Sequence, residues 1–185
     1  MEVLFLRHGA TAGNLEKRYI GRTDEPLCPL GRQQAQTLAA QGFSVERLYV
    51  SPALRTVQTA EIVFPGVPYT KVPALWETDF GIFEGKTARE LENEPRYRAW
   101  VEAECKTPVP HGEWVEDFKT RCCAAFREIM DGLPDQGSVG FVIHGGCIMA
   151  ILEAFALPKQ DFYAYHIPNG AFLRCTYRDG SLFLK

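Results

Sequence analysis

Residues 4–9 read Leu4-Phe5-Leu6-Arg7-His8-Gly9, an apolar run that opens at Val3 and stops at a cation, an imidazole and a glycine. A short apolar run of this kind reads as a buried parallel strand. It delivers its last side chains to the carboxyl edge of a sheet, where open α/β folds bind ligands. A histidine beside an arginine at such an edge has the chemistry of a nucleophile facing an anion. Gly9 is read as the residue that lets the backbone approach that anion. A strand that merely ends in polar residues would look the same over so few positions.

The rest of the chain supplies the context. At 185 residues it is near the usual size of one domain, so 1–185 is read as a single domain. Hydrophobic residues make up 46% and charged residues 23%, as in ordinary globular proteins, and the net charge is -3. That mild acidity argues against a nucleic-acid or membrane-surface role. No apolar stretch approaches a membrane-spanning length. The amino terminus enters a strand without a leader's basic segment. The cysteines (28, 105, 122, 123, 147 and 175) show neither C-x-x-C nor zinc-finger spacing. They are expected to be reduced, mostly buried thiols in a cytoplasmic protein.

Strand and helix signals alternate outward from the opening run. Pro29 suits the first position of a helix running to about Gln41. Leu48–Val50 reads as a short strand, and Ser51-Pro52 as the N-cap and start of a helix to about Val63. Tyr69–Val72 is a third strand candidate. Residues 87–104 read as helical with a break at Pro95. Trp114, Phe118, Cys122, Phe126 and Ile129 form the stripe of a long amphipathic helix. Val139–Ile143 is an apolar strand, followed by an apolar helix over 147–156. Residues 171–177 and 182–184 pair as strands around Asp179-Gly180. This order predicts a three-layer α/β/α fold with a largely parallel central sheet and a short helical insertion, about 84–113, near the active site.

Four further positions fall at strand ends or helix starts. Arg55 sits in the first turn of its helix, where a cation opposes the helix dipole unless it is aimed at an anion. His144 repeats the pattern of His8, ending an apolar strand just before Gly145-Gly146 and a helix. A satisfied core histidine is the alternative reading there. Glu77 follows Leu75-Trp76; in an apolar, aromatic setting its carboxyl would suit a general acid, and otherwise it is a solvated loop residue. Asn14 either donates to a phosphate oxygen or forms a turn. Arginine forks match phosphate oxygens, one imidazole can attack phosphorus, and one carboxylic acid can protonate the leaving oxygen.

At this point the chain resembles the histidine phosphatase superfamily, also called the phosphoglycerate-mutase-like family. The resemblance is carried by Arg7-His8-Gly9-Ala10-Thr11-Ala12-Gly13-Asn14, by the stretch from Gly21 to Gly31, by Ser51 to Ala60, by Leu75 to Gly85, and by Val142-Ile143-His144-Gly145-Gly146. Each is weak alone, and the five in order span nearly the whole chain.

The resemblance implies His8 as a phosphohistidine-forming nucleophile, and Arg7, Arg55, His144, Asn14 and Gly145 as a phosphate pocket. It implies Glu77 as proton donor and then as base for the hydrolytic water. It implies no metal and no other cofactor, because the arginines supply the positive charge. The chain departs from the usual pattern at Ala10, Cys28, Phe83 and Trp114. Arg22, Phe83, Tyr97, Trp100 and Trp114 are read as lining a substrate entrance, or else as holding the insertion together. Within the family the chain looks most like the alpha-ribazole phosphatase and broad-specificity phosphatase branch, whose substrates are small phosphomonoesters. A bisphosphoglycerate-dependent phosphoglycerate mutase and a catalytically inactive binding protein are the competing readings. A homodimer is compatible with the sequence.

Overall fold

The computed structural model describes residues 1–185. Strand β1 (Glu2–Arg7) is followed by α1 (Ala12–Leu15), α2 (Pro29–Ala39), β2 (Arg47–Val50), α3 (Leu54–Val63) and β3 (Thr70–Lys71). Then come α4 (Ala88–Leu91), α5 (Pro95–Glu102), α6 (Val115–Asp131), β4 (Ser138–Ile143) and α7 (Gly145–Phe155). The chain closes with β5 (Ala156–Leu157), β6 (Phe172–Arg178) and β7 (Ser181–Leu184). The strands form one sheet in the order β3-β2-β4-β1-β6-β7-β5. The β1–β4, β2–β4, β2–β3 and β5–β7 pairs are parallel, and β6 is antiparallel to β1 and β7.

The layering follows from the alternation of side chains along a strand. Val3 and Phe5 of β1 point with Phe141 and Ile143 into a core covered by α6 and α7. Leu4 and Leu6 point the other way, with Leu48, Val50 and Val142, against α2 and α3. A third, smaller cluster of Phe83, Leu91, Tyr97, Trp100 and Val109 holds residues 83–109 together beside the sheet. The fold is therefore the expected three-layer α/β/α arrangement around a mixed, mostly parallel sheet.

The helical stretch over 87–104 breaks before Pro95 as expected, into α4 with a Thr87–Glu90 capping box and α5 entered at Pro95. Other local expectations are corrected. Ser51 is not the cap of α3. That helix starts three residues later, its N-cap residue Ala53 offers no side chain, and Asp24 from a distant loop accepts from Leu54 N–H at 2.7 Å instead. Trp114 leaves the buried stripe of α6: it sits at the N-cap position, 40% exposed, while Phe118, Cys122 and Phe126 carry the core face. The short strand β5 has no counterpart among the elements expected from the sequence. The turn between β6 and β7 is as expected, with both Asp179 and Gly180 at positive φ (52° and 72°). No helix is long and apolar enough to cross a membrane. All six cysteines are free.

Candidate active site

Three adjacent parallel strands end in Ser51, His144 and His8. The β1–β4 register places Arg7 opposite Ile143, and β2–β4 places Val50 opposite Val142. The next residue on each strand therefore meets its neighbours at the carboxyl edge. The His8 and His144 rings stand 5.1 Å apart, edge to face. Ser51 Oγ and His144 Nε2 are hydrogen-bonded at 2.7 Å, both residues fully buried. Reading Ser51 as a cap misses this role. The available signal is its position at the end of a strand, like the two histidines.

The His8 ring is oriented by its own neighbour: Nδ1 lies 2.7 Å from the Gly9 carbonyl, which can only accept. The proton is therefore on Nδ1, and Nε2 carries the lone pair. Burial pushes the His8 pKa well below its ordinary value, and the charges of Arg55 and Arg7 push it further down. His144 is depressed in the same way, by burial first and then by Arg55. Both rings are neutral over the physiological range.

Arg55 is fully buried. Its Nη1 donates to the Thr23 carbonyl and its Nη2 to the Gly21 carbonyl, each at 2.9 Å. The 21–23 loop that offers these carbonyls wraps its other side around Glu84, which accepts from the N–H groups of Gly21, Arg22 and Thr23 and from the Thr23 hydroxyl. Glu84 thus fixes the loop that fixes Arg55. Arg7 donates to the Ile167 carbonyl at 2.6 Å and contacts His166 Nε2 at 3.2 Å.

Four buried side-chain polar atoms lack a hydrogen-bond partner, and three of them are Arg7 Nε, Arg55 Nε and His144 Nδ1. An unsatisfied buried donor costs about 1–3 kcal/mol. An oxyanion accepting from the two arginine Nε–H groups would remove that cost for them.

The glycine pair that opens α7 has a steric reason. A Cβ on Gly145 would meet the Arg7 guanidinium at 3.0–3.1 Å, and one on Gly146 would meet Glu77 Oε1 at 2.3 Å. Glu77 therefore sits directly on the start of α7, where Gly146 N–H donates to Oε2 at 3.0 Å and Thr78 N–H to Oε1 at 2.9 Å. Its partners are backbone donors, not the apolar, aromatic wall expected from Trp76, whose indole turns away to the Gly21 carbonyl. Gly9 has a packing reason as well: a Cβ there would strike the Gly31 carbonyl at 2.2 Å, so Gly9 admits the backbone of α2.

Of the two readings of Asn14, the structure shows the turn. Its Oδ1 accepts from Thr11 N–H, closing the cap of α1, and from Asn169 Nδ2 at 3.2 Å. The amide is thereby turned so that its NH2 is the group left for a ligand. Asn169, another residue the sequence reading missed, also donates to the His8 carbonyl at 3.2 Å.

A cavity of about 950 Å³ is lined by Arg7, Asn14, Glu77, Gly145 and Gly146 of the site together with Phe162 and Tyr163, while His8, Arg55 and His144 are not among its lining residues. Of the expected entrance residues, only Trp100 lines it. Phe83 and Tyr97 are buried in the insertion's own cluster. Arg22 stacks over Trp76 at 5.5 Å, and Trp114 donates its indole N–H to the Lys106 carbonyl; neither is among the residues that line the cavity. The aromatic wall is built instead by Tyr19, Phe80 and Phe118, with Phe162 and Tyr163.

The model of the histidine phosphatase superfamily (branch 1) matches residues 3–185. The chain belongs to that family. It is 31% identical to the Probable phosphoglycerate mutase GpmB of Cronobacter sakazakii, over 96% of this chain and 86% of that one. Among solved structures, a phosphoglycerate mutase from Thermus thermophilus is 30% identical with a TM-score of 0.75, covering 98% of this chain and 96% of that one. The alpha-ribazole phosphatase from Shigella flexneri superposes with a TM-score of 0.90 at 22% identity, over 100% and 95% of the two chains, which is a likeness of fold. The buried His–Arg–His cluster at the sheet edge is that of a histidine-phosphatase-type phosphomonoesterase.

Proposed function

We propose that the protein hydrolyses a small-molecule phosphomonoester through a phosphohistidine at His8. The observation that carries this reading is the neutral His8 ring, proton on Nδ1, beside two buried arginine Nε–H donors that lack acceptors and the unpartnered Nδ1 of His144. In the first step the Nε2 lone pair attacks phosphorus while the bond to the leaving oxygen breaks. Arg7, Arg55 and His144 stabilise the charge on the phosphoryl oxygens, with Asn14 and the Gly145 N–H at the rim. Glu77 gives its proton to the leaving oxygen. In the second step Glu77 takes a proton from water, the water oxygen bonds to phosphorus, and the P–N bond breaks to release inorganic phosphate.

The cavity favours hydrolysis of a substrate with one acidic end over mutase chemistry. Apart from Arg7, the arginines and lysines on its wall are each paired within the chain: Arg18 with Glu16 and Glu90, Lys119 with Glu153, and Lys106 with Glu104. A phosphoglycerate carboxylate would find no free cation there. The fold likeness to an alpha-ribazole phosphatase and the aromatic wall make alpha-ribazole 5′-phosphate a specific candidate, with the protein acting in the cytoplasm.

The test is a turnover panel of phosphomonoesters that includes alpha-ribazole 5′-phosphate, alongside 3-phosphoglycerate with catalytic 2,3-bisphosphoglycerate. Phosphate release with an acid-labile phosphoenzyme that disappears in His8→Ala is expected. Rapid 2-phosphoglycerate formation without matching phosphate would replace hydrolysis with the mutase reading. Sedimentation of the same preparation reads whether the protein is a homodimer.

A further inference from the structure

Arg121, on α6, lies outside the phosphate cluster, yet every one of its guanidinium hydrogens has an acceptor. Nε and Nη2 donate to the two oxygens of Glu113 at 2.6 and 2.7 Å. Nη1 donates to the carbonyls of Ala74 and Trp76, both at 2.7 Å, and Nη2 also donates to the carbonyl of Glu77 at 3.1 Å. These five bonds use the full donor set of an arginine. Glu113 closes the arrangement: its carboxylate accepts from Asp79 N–H at 3.3 Å, and its own N–H donates to the Asp79 carbonyl at 2.9 Å. The segment from Ala74 to Asp79 is thus gripped along its carbonyls by one rigid fork and its counter-ion. That segment carries Glu77.

Glu77 is consequently held at two points. Its carboxylate rests on the Gly146 N–H of α7, and its backbone carbonyl is bonded to Arg121 on α6. Arg121 is half-buried with Glu113, so water competes weakly for these bonds. Proton transfer demands close placement of donor and leaving oxygen, and small displacements of a catalytic group are expensive. A lysine cannot reproduce the grip, having three donors on a point charge and no planar fork.

We infer that Arg121, with Glu113 as its counter-ion, is a positioning residue for the general acid. It sets the backbone of the Glu77 segment so that the carboxyl meets the departing oxygen. This rests on the reading of Glu77 as the acid.

The experiment measures first-turnover release of the alcohol from an alkyl phosphate and from p-nitrophenyl phosphate, for the parent, Arg121→Lys, Glu113→Gln and Glu77→Gln. An alkoxide needs a proton to leave and p-nitrophenolate does not. Arg121→Lys is expected to slow the alkyl substrate about 10- to 100-fold, and the aryl substrate by less than about threefold. Glu113→Gln is expected to follow in smaller measure. In the double variant Glu77→Gln/Arg121→Lys, the alkyl-to-aryl ratio should not change beyond that of Glu77→Gln alone.

Because each ratio is taken within one protein sample, a loss of folded material cancels. If Glu77→Gln alone slows both substrates equally, the acid reading fails. If Glu77→Gln is selective but Arg121→Lys and Glu113→Gln slow both substrates equally, or neither, the positioning role is overturned while the acid reading stands.

Discussion

Acidification should destabilise this protein through two buried imidazoles. His8 is 3% exposed and His144 is not exposed at all, and burial depresses the pKa of each well below the ordinary value. In the unfolded chain each titrates near 6.5. Between that value and the lower folded-state value, the unfolded chain holds more protons than the folded one. Stability is therefore complete above about pH 7 and falls as pH drops through this window. A histidine that stays neutral when folded loses about 1.4 kcal/mol between pH 7.5 and 5.5, so the pair loses about 2.7 kcal/mol. For a chain of this size that lowers the melting temperature by roughly 5–10 °C.

The assay is calorimetry at the two pH values in a buffer free of phosphate and sulfate. The comparison is a double variant, His8→Asn with His144→Gln, chosen because asparagine keeps a donor toward the Gly9 carbonyl and glutamine keeps a partner for Ser51. His166, whose pKa burial also lowers, is present in both proteins and cancels. The double variant should lose most of the pH-dependent drop. If parent and variant fall by the same amount, the two rings are not held neutral and the electrostatic description of the site is wrong.

Other perturbations have equally definite outcomes. Ser51→Ala leaves His144 without its buried partner and should cost about 1–3 kcal/mol in urea unfolding, with kcat reduced; an unchanged midpoint would show the 2.7 Å contact to be inconsequential. Glu84→Gln puts an amide where a carboxylate gathers the donors of the 21–23 loop. It should weaken retention of inorganic phosphate or vanadate through Arg55 by about tenfold or more, measured by calorimetric titration. Gly146→Ala places a methyl group 2.3 Å from Glu77 Oε1 and should reduce alkyl phosphate turnover by about 10²-fold, with p-nitrophenyl phosphate much less affected. Kinetically, the acid limb of kcat/KM should lie below pH 6.5, since His8 protonates only well below that value. A limb at or above 6.5 would mean an ordinarily hydrated imidazole.

The sequence carried the strand ends well because the chemistry there is local. Arg7-His8-Gly9 and Ile143-His144-Gly145 each break an apolar run within three residues, and parallel pairing of their strands then brings the rings together. The residues it failed to assign act across long separations. Ser51 looked like a helix cap because serine before proline is a good one. Only the register of β2 on β4 shows that its hydroxyl is taken by His144, leaving the cap of α3 to Asp24. Phe83 and Tyr97 looked like mouth residues because aromatics in an insertion can face either way. Their own cluster buries them, and the cavity wall passes to Tyr19 and Phe118, which lie on either side of the insertion in sequence.

The same division explains where precision in the site comes from. His8 and His144 are placed by the sheet, whose ladder fixes them to within a hydrogen bond. Arg55 and Glu77 lie on segments that a ladder does not hold, and each is fixed by a compact ion cluster instead: Glu84 through the 21–23 loop for the first, Arg121 with Glu113 through the 74–79 segment for the second. Side-chain networks thus place the helix-borne guanidinium of Arg55 and the loop-borne carboxyl of Glu77. Substitutions in those networks should therefore change chemistry selectively, whereas changes under the strand ends should be felt first as lost stability.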